Sequence, residues 1–275
     1  MIKTPLRYPG GKSKALKQIA PLMPAFEELR EPFVGGGSVF IYAKQKFPDK
    51  KFWINDLYPE LFSFWKIAQQ DMSGLLEQIQ TWKKSFSDGR VLHKFLLENI
   101  SAFEGVKKAA AFFLLNRITF SGTSESGGYS NQAFLKRLTD SSIERVAKLE
   151  SLLQGVQITN SDYREVVEKE GEKVFLFLDP PYHSATKSAL YGKNGNLHKT
   201  FDHQRFALIM KNCPHPWLIT YDDSPYIREL FSFAKIFSWN LTYGMRNVTQ
   251  KSSQKASEIF VSNYLEKLPA APRPF

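Results

Sequence analysis

Short apolar runs alternate with helix-like stretches along most of the chain, and this alternation constrains the fold more than any other feature of the sequence. The runs predicted as buried strands are Phe52–Ile54, Val156–Ile158, Val174–Leu178, Trp217–Thr220, Ile236–Leu241 and Ile259–Val261. The stretches between them that predict helices are Leu61–Gln70, Tyr163–Lys169, His203–Asn212 and Pro225–Phe231. Strand–helix alternation of this kind indicates an α/β fold with a mostly parallel sheet.

The alternation stops between about Met72 and Glu150. This stretch instead predicts four helices separated in the middle by the glycine- and serine-rich loop Ser121–Asn131; the helices are Leu75–Trp82, Val91–Asn99, Lys107–Arg117 and Ser142–Leu153. We therefore expect residues 1–70 and 151–268 to form one α/β domain, residues 71–150 a helical insert, and residues 269–275 a tail. Two interpretations of the insert stay open: a lid that only packs on the sheet, or a domain that recognises a large substrate.

The charge balance points to a polyanionic partner. The chain carries 37 Lys and Arg against 27 Asp and Glu, a net charge of +10, which favours nucleic acid first and an anionic membrane surface second. One cysteine excludes an intramolecular disulfide and a cysteine-rich zinc site, and the five histidines lack metal-ligand spacing, so no metal is expected. No apolar run approaches the ~20 residues of a membrane span, and no secretory signal opens the chain. We expect a soluble, cytoplasmic protein.

The strongest motif is Asp179-Pro180-Pro181-Tyr182, which directly follows the apolar run VFLFL. A buried strand that ends in an acid is where α/β folds place their ligands. The prolines fix the backbone and leave carbonyls free, so the aspartate and a neighbouring carbonyl can accept both hydrogens of a planar –NH2 group. The tyrosine offers a face on which an aromatic base can stack. The alternative is a proline turn with a solvated acid.

A second motif, the glycine-rich segment Glu31–Ser38, predicts a turn that a ligand can approach closely. Asp56 follows about 20 residues later, where an acid binds a ribose diol in nucleotide-binding βαβ units. The GxGxxG pattern is not matched because position 40 is Phe, yet pyrophosphate cofactors stay open on this motif alone. The GKS within the segment Arg7–Ser13 is not a phosphate-binding loop. That motif requires a glycine at position 6, where this chain has Leu, and a preceding strand, which is not predicted here.

Together these motifs resemble the Dam-type (D12 class) DNA N6-adenine methyltransferases over nearly the whole chain. The order is a PGGK start, EPFVGGGS, INDLYPEL with Asp56, the long insert, and DPPY. Two further segments resemble the family: FLLNR at Phe113–Arg117 followed by Gly122, and the closing Lys255–Ile259. Tyr8 departs from the tryptophan of many members but keeps an aromatic ring.

The resemblance implies a Rossmann-like S-adenosylmethionine-dependent methyltransferase fold. This fold has a seven-stranded, mostly parallel sheet as the catalytic domain and the helical insert as a target-recognition domain. The cofactor would be S-adenosylmethionine, with its ribose on Asp56 and its methionine end near Tyr8 and Lys12. The implied cofactor-binding residues are Tyr8, Lys12, Glu31, Phe33, Gly35, Gly37, Asp56, Asp162, Tyr163 and Asp179.

The implied reaction is methylation of N6 of an adenine that is flipped out of a short duplex DNA sequence, for which GATC is the family's suggestion. The catalytic residues would be those of the DPPY motif: Asp179 and the Pro180 carbonyl on the amino hydrogens, Pro181 in the rigid loop, and Tyr182 stacked on the base. Residues expected to contact DNA are Asn116, Arg117, Lys136 and Arg137 in the insert, and Arg246, Asn247 and Lys251 near the end of the chain. For each of these the alternative is an ordinary surface side chain.

Two other functions stay open beside this one: methylation of RNA adenine or another amino group, and DNA binding by a relative that has lost catalysis. Double-stranded DNA is the expected partner. A monomer is expected, since each event methylates one strand, and a paired restriction endonuclease is the protein partner that the resemblance allows. The stretch Ser184–Thr200 is predicted to be a flap that orders when DNA binds.

Overall fold

A seven-stranded sheet forms the centre of the molecule in a computed structural model, which describes residues 1–8, 10–124, 127–183, 201–240 and 257–268. The strands are β1 (Glu28–Glu31), β2 (Lys51–Asn55), β3 (Gln157–Thr159), β4 (Val174–Leu178), β5 (Trp217–Asp222), β6 (Lys235–Asn240) and β7 (Ser257–Ser262). Their order across the sheet is β3-β2-β1-β4-β5-β7-β6. The first five strands in this order are parallel to one another, whereas β7 runs antiparallel to both β5 and β6. The predicted α/β fold class, with its seven-stranded and mostly parallel sheet, is confirmed.

Twelve α-helices accompany the sheet within the described residues. They are α1 (Leu16–Ile19), α2 (Ser38–Lys46), α3 (Pro59–Gln70), α4 (Met72–Ser85), α5 (Gly89–Asn99), α6 (Gly105–Ile118), α7 (Asn131–Arg137), α8 (Asp140–Ala147), α9 (Glu150–Leu153), α10 (Tyr163–Val167), α11 (His203–Asn212) and α12 (Pro225–Leu230). Short 3-10 turns occupy Lys12–Lys14, Ala20–Leu22 and Phe120–Gly122. No helix in this part of the chain is long and apolar enough to cross a membrane.

Strand β4 explains how both faces of the sheet are covered. All five of its residues are buried, and they alternate between two hydrophobic clusters. Phe175 and Phe177 contribute to one cluster, and Val174, Leu176 and Leu178 to the other. Alternation is what a pleated strand imposes, so a continuous apolar run is the expected sequence of a strand that helices cover on both sides.

The sequence did not predict β1, because three of its four residues are charged. Arg30 is nevertheless 1% exposed. Its Nε donates to Glu28 at 2.7 Å, and its guanidinium also donates to the Val166 and Glu170 carbonyls, each at 3.0 Å. A buried charge that is paired and fully hydrogen-bonded can replace an apolar side chain in a central strand.

The helical insert packs directly on the sheet domain. Helix α6 lies at its centre, with ten consecutive buried residues from Ala109 to Ile118. Its apolar residues belong to the same hydrophobic cluster as those of α2, α3 and β2. The predicted helix Ser142–Leu153 was wrong as a single element, since it is divided into α8 and α9, and α7 was not predicted at all.

Candidate active site

The segments singled out in the sequence meet at the carboxyl ends of the parallel strands, around a cavity of ≈ 340 Å³. Four segments line the cavity together with Tyr8 and Lys12. Two begin at the last residue of a strand, 31–39 at the end of β1 and 55–57 at the end of β2. The other two come after a strand, 161–163 after β3 and 179–182 after β4. A cavity of this size lies within the usual range for small-molecule sites, about 300–1,000 Å³. Every predicted cofactor-binding residue and every residue of the DPPY motif borders it.

The glycine turn after β1 forms one wall of the cavity. Gly35 and Gly37 have φ values of 48° and 66°, in the left-handed region that favours glycine. A Cβ at Gly35 would lie 2.8 Å from Cε1 of Tyr8, and one at Gly37 would lie 2.7 Å from Cζ2 of Trp65. The two glycines therefore let the aromatic rings pack directly against the backbone, and Tyr8 covers the turn.

Asp56 closes the same turn from the end of β2. Its carboxylate accepts the backbone N–H groups of Gly35 at 3.0 Å and Tyr58 at 3.1 Å. Burial raises the pKa of Asp56 to about 6, although the backbone hydrogen bonds from Tyr58, Gly35 and Leu57 act in the opposite direction. The carboxylate oxygens have further lone pairs, which can accept hydroxyl groups of a ligand.

Aromatic rings form another wall of the same cavity. The rings of Phe33 and Tyr163 lie 5.4 Å apart, and Phe201 lies 5.7 Å from Phe33. Asp162 begins α10 and accepts hydrogen bonds from the backbone N–H and Nε of Arg164, both at 3.0 Å. The Asp162 carboxylate thus caps its own helix, while Tyr163 presents its ring to the cavity.

Asp179 lies at the centre of a polar network. The Nζ of Lys12 lies 2.7 Å from Oδ1 and 2.8 Å from Oδ2, and the Thr220 hydroxyl donates to Oδ1 at 2.7 Å. The Lys12 ammonium also lies over the Tyr182 ring, 5.0 Å from its centroid. Sequence reasoning missed Thr220; the available signal was a hydroxyl at the end of the apolar run WLIT.

Two further carboxyls are buried beside Asp179. Glu31 is 2% exposed, and burial, followed by the charge of Asp179, raises its pKa well above the ordinary value. Its Oε1 has no hydrogen-bond partner among the described residues. Glu258, at the start of β7, is 1% exposed, and burial raises its pKa to about 7 against the opposing charge of Lys12. The sequence identified Glu258 only as part of the closing segment, not as a site residue.

The residues predicted to contact DNA divide into three groups. Lys136 and Arg137 are exposed at the end of α7. Asn116 and Arg117 are 0% and 5% exposed, so their prediction as DNA contacts needs correction. Asn116 exchanges hydrogen bonds with the backbone of Arg7, and Arg117 donates to the Arg137 carbonyl. Side chains that hold backbone groups inside the protein do not face a DNA surface.

The other three, Arg246, Asn247 and Lys251, and the predicted flap 184–200 lie outside the described residues.

An arginine cluster surrounds Arg117. Burial, followed by the charges of Arg7, Arg145 and Arg137, lowers its pKa to about 9. Burial and the charge of Arg137 likewise lower the pKa of Arg7. Arg7 and Arg145 are partly exposed, so the cluster reaches the surface. The four guanidinium groups concentrate positive charge in this part of the molecule. Sequence reasoning missed Arg7 and Arg145, because they are far apart in the chain.

Comparison with known protein families identifies the family to which the chain belongs. A family profile described as D12 class N6 adenine-specific DNA methyltransferase matches residues 8–245, which include the glycine turn, Asp56, the insert and DPPY. The chain belongs to this family. It is therefore an adenine-specific DNA methyltransferase, and among its described residues no group of His, Cys, Asp and Glu could hold a metal ion.

Individual relatives of this D12 methyltransferase come from archaea, phage and bacteria. The Type II methyltransferase M.MjaIII of Methanocaldococcus jannaschii is 28% identical over 217 residues, 69% of this chain and 72% of the relative. The DNA N-6-adenine-methyltransferase of Escherichia phage P1 is 27% identical over 82% of this chain, but the match spans only 30% of that protein. A DNA adenine methylase of Vibrio cholerae is 20% identical over 72% of each chain.

Proposed function

We propose that this D12 methyltransferase transfers a methyl group from S-adenosylmethionine to N6 of an adenine that is flipped out of duplex DNA within a short recognition sequence. The observation that carries the proposal is one cavity that contains both an acceptor for an amino group, Asp179, and a ribose-binding carboxylate, Asp56. The glycine turn lies between them.

The residues of the cavity fit S-adenosylmethionine. Asp56 accepts the ribose hydroxyls, and the Phe33–Tyr163 wall packs against the adenine ring. The glycine turn allows close approach of the cofactor backbone, and the buried Glu31, whose Oε1 is unsatisfied among the described residues, offers a polar partner at the methionine end. When bound, the cofactor supplies an electrophilic methyl group on a sulfonium.

The chain's own residues act on the substrate amine. The N6 lone pair of adenine is delocalised into the ring, which makes the amine a poor nucleophile. Asp179 and the Pro180 carbonyl accept the two amino hydrogens, which favours a pyramidal nitrogen and directs its lone pair at the methyl group. Tyr182 stacks on the ring and fixes its plane, a contact worth about 1–3 kcal/mol. Orientation and acceptor placement supply much of the acceleration.

The insert supplies the contacts with duplex DNA. Flipping a base costs a few kcal/mol, which phosphate contacts offset. Arg137 and the partly exposed Arg7 and Arg145 offer positive charge around Arg117, and Lys136 adds an exposed charge at the end of α7. The proposed set also includes Arg246, Asn247 and Lys251, which follow DPPY in the sequence and lie outside the described residues.

We keep residues 71–150 as the target-recognition domain and a cytoplasmic monomer as the working form. Pairing with a restriction endonuclease is part of the proposal, and among the relatives the Streptococcus sanguinis protein is named Modification methylase StsI. GATC is the first recognition sequence to test.

The test is long-read methylation sequencing of plasmid DNA from a methylase-free host that expresses the protein. N6-methyladenine at one short motif is the expected result, and the motif itself gives the recognition sequence. Asp179→Ala is the inactive control, and Asp140→Asn, at an exposed surface acid, is the matched active one. Modified adenine in the Asp179→Ala host would refute the role of Asp179. Unmodified DNA from soluble wild-type protein that binds S-adenosylmethionine would refute the DNA reaction.

A further inference from the structure

Glu258 reaches the active site from the last strand of the sheet. Strand β7 pairs antiparallel with β5, so its first residues lie at the edge where the parallel strands end, and Glu258 is opposite Asp222. Its carboxyl interacts with Lys12, Asp179, Tyr182 and Asp222. A buried carboxylate is stable only when it is paired. Among the described residues, Lys12 is a cation whose charge acts on this carboxyl.

Lys12 occupies the position that the proposed substrate needs. Its ammonium contacts both oxygens of Asp179, the acceptor assigned to the adenine amine. The same ammonium lies over the Tyr182 ring, on which the base would stack. We expect the flipped adenine to compete with the Lys12 ammonium for Asp179 and the Tyr182 ring. A positive charge beside Asp179 would also oppose the positive charge that develops on N6 during methyl transfer.

We propose that Glu258 is a positioning residue that receives the Lys12 ammonium when the target adenine enters, and so frees Asp179 and the Tyr182 ring for the base. The inference rests on the proposed function. Lys12 stays buried and paired throughout, because it exchanges one carboxylate for another, and this avoids the cost of an unpaired buried charge. No bond is made or broken in the exchange.

The exchange requires an ionised Glu258, which makes it dependent on pH. The groups that face Glu258 are Lys12 from the N-terminal segment, Asp179 and Tyr182 from the loop after β4, and Asp222 from β5. Its cross-strand neighbour on β6 is Trp239, which does not titrate. Burial raises the Glu258 pKa to about 7, so the carboxyl accepts Lys12 above that pH and loses this capacity below it.

The experiment is a double-mutant cycle measured as single-turnover transfer of labelled methyl groups to mixed-sequence genomic DNA. Glu258→Gln keeps the shape of the side chain but removes its charge, and we expect transfer to slow roughly 10- to 100-fold. In a Lys12→Met background, the same change should cost nothing further, because no ammonium needs an acceptor. If the two effects simply multiply, the proposal is wrong.

The pH profile separates positioning from a merely structural role. The wild-type rate should rise through pH 7, and the rates of Glu258→Gln and Lys12→Met should not. The pH dependence of the rate can be measured in Lys12→Met even if Glu258→Gln fails to fold. If the rate of Lys12→Met rises through pH 7 as steeply as the wild-type rate, the proposal is overturned. Glu266→Gln, at a side chain that is 83% exposed, is the charge-matched control and should behave as wild type.

The two proposals fail in different ways. No methyl transfer to DNA by the wild-type protein would refute the proposed function and this inference with it. Normal transfer by the wild-type protein and equal transfer by Glu258→Gln would refute the inference alone.

Discussion

Gly35 shows how a single residue can set the geometry of a binding site. Its φ of 48° is in the left-handed region, its N–H donates to Asp56, and its missing side chain leaves room for the Tyr8 ring. One position thus orders the Asp56 carboxylate, the proposed ribose acceptor, and the aromatic cover of the turn. Backbone conformation and close approach both require glycine here.

Gly35→Ala is expected to weaken S-adenosylmethionine binding by roughly 10-fold or more, because a displaced Tyr8 ring disturbs the turn that holds Asp56. Isothermal titration calorimetry measures the affinity. Gly105→Ala is the matched control, since its φ is 50° but nothing lies within 4 Å of the added Cβ. Both variants carry the strain of a left-handed alanine, about 1 kcal/mol, so equal losses of affinity would contradict the steric argument.

At the scale of residues, the sequence predicted the positions of residues that belong to short motifs. Asp179 and Asp56 follow apolar runs directly, and chain order alone places both at the carboxyl edge of the sheet. Asn116 and Thr220 were different, since burial and a hydrogen bond across strands arise only from packing. A polar residue in an apolar stretch was visible in both cases, but its partner was not.

At the scale of elements, α6 links the insert to the N-terminal segment that carries Tyr8 and Lys12. Asn116 accepts the Arg7 N–H at 2.9 Å and donates to the carbonyls of Arg7 at 2.7 Å and Gly122 at 3.0 Å. Arg117 donates to the Pro5 carbonyl at 3.1 Å. The helix therefore holds an extended segment whose backbone groups would otherwise lack partners.

Asn116→Ala is expected to lower the free energy of unfolding by roughly 3 kcal/mol, because it leaves buried backbone groups of Arg7 unpaired. It should also weaken cofactor binding, since Tyr8 is the next residue. Urea denaturation and calorimetry measure the two effects. Asn99→Ala removes one local bond, to the Phe95 carbonyl, and should cost about 1 kcal/mol with unchanged affinity. Unchanged cofactor binding in folded Asn116→Ala would contradict the coupling.

The sequence predicted elements well where apolar periodicity decides them. β4 and α11 match their predicted bounds, because a buried apolar run and a helical stripe both show in local sequence. β1 was missed because its buried Arg30 depends on carbonyls far along the chain. The break between α8 and α9 lies inside an apparently continuous helical pattern, so periodicity did not reveal it.

At the scale of the whole molecule, the arginine cluster predicts how DNA binding depends on salt. Arg137→Ala removes one exposed charge and should reduce the slope of log affinity against log salt concentration by about 1. Lys50→Ala removes a charge beside the start of β2, at the opposite edge of the sheet from the cavity, and should leave the slope unchanged. Fluorescence anisotropy with duplex DNA measures both slopes; equal slopes would show that the cluster does not contact phosphate.

Global stability should depend on pH through Glu258. Its pKa is about 7 in the folded protein against 4.5 for an ordinary glutamate, so the folded state holds the proton more tightly. The contribution of Glu258 to the free energy of unfolding is full below pH 4.5 and is lost as the pH rises through 7. The free energy of unfolding therefore decreases by an amount on the order of 3 kcal/mol. Urea titrations at pH 5 and pH 8 measure this decrease. It should be smaller in Glu258→Gln than in the wild-type protein and unchanged in Glu266→Gln. A decrease of the same size in Glu258→Gln would assign it to other groups.

The antiparallel β7 has a consequence for how the enzyme is made. This strand inserts between β5 and β6, although it is the last of the described strands in sequence order, and its Glu258 interacts with Lys12, which precedes all of them. During synthesis, β5 presents an unpaired edge until β7 leaves the ribosome, and no strand joins β6 to the sheet before then. The arrangement in which Glu258 lies opposite Asp222 therefore forms only after β7 has been translated.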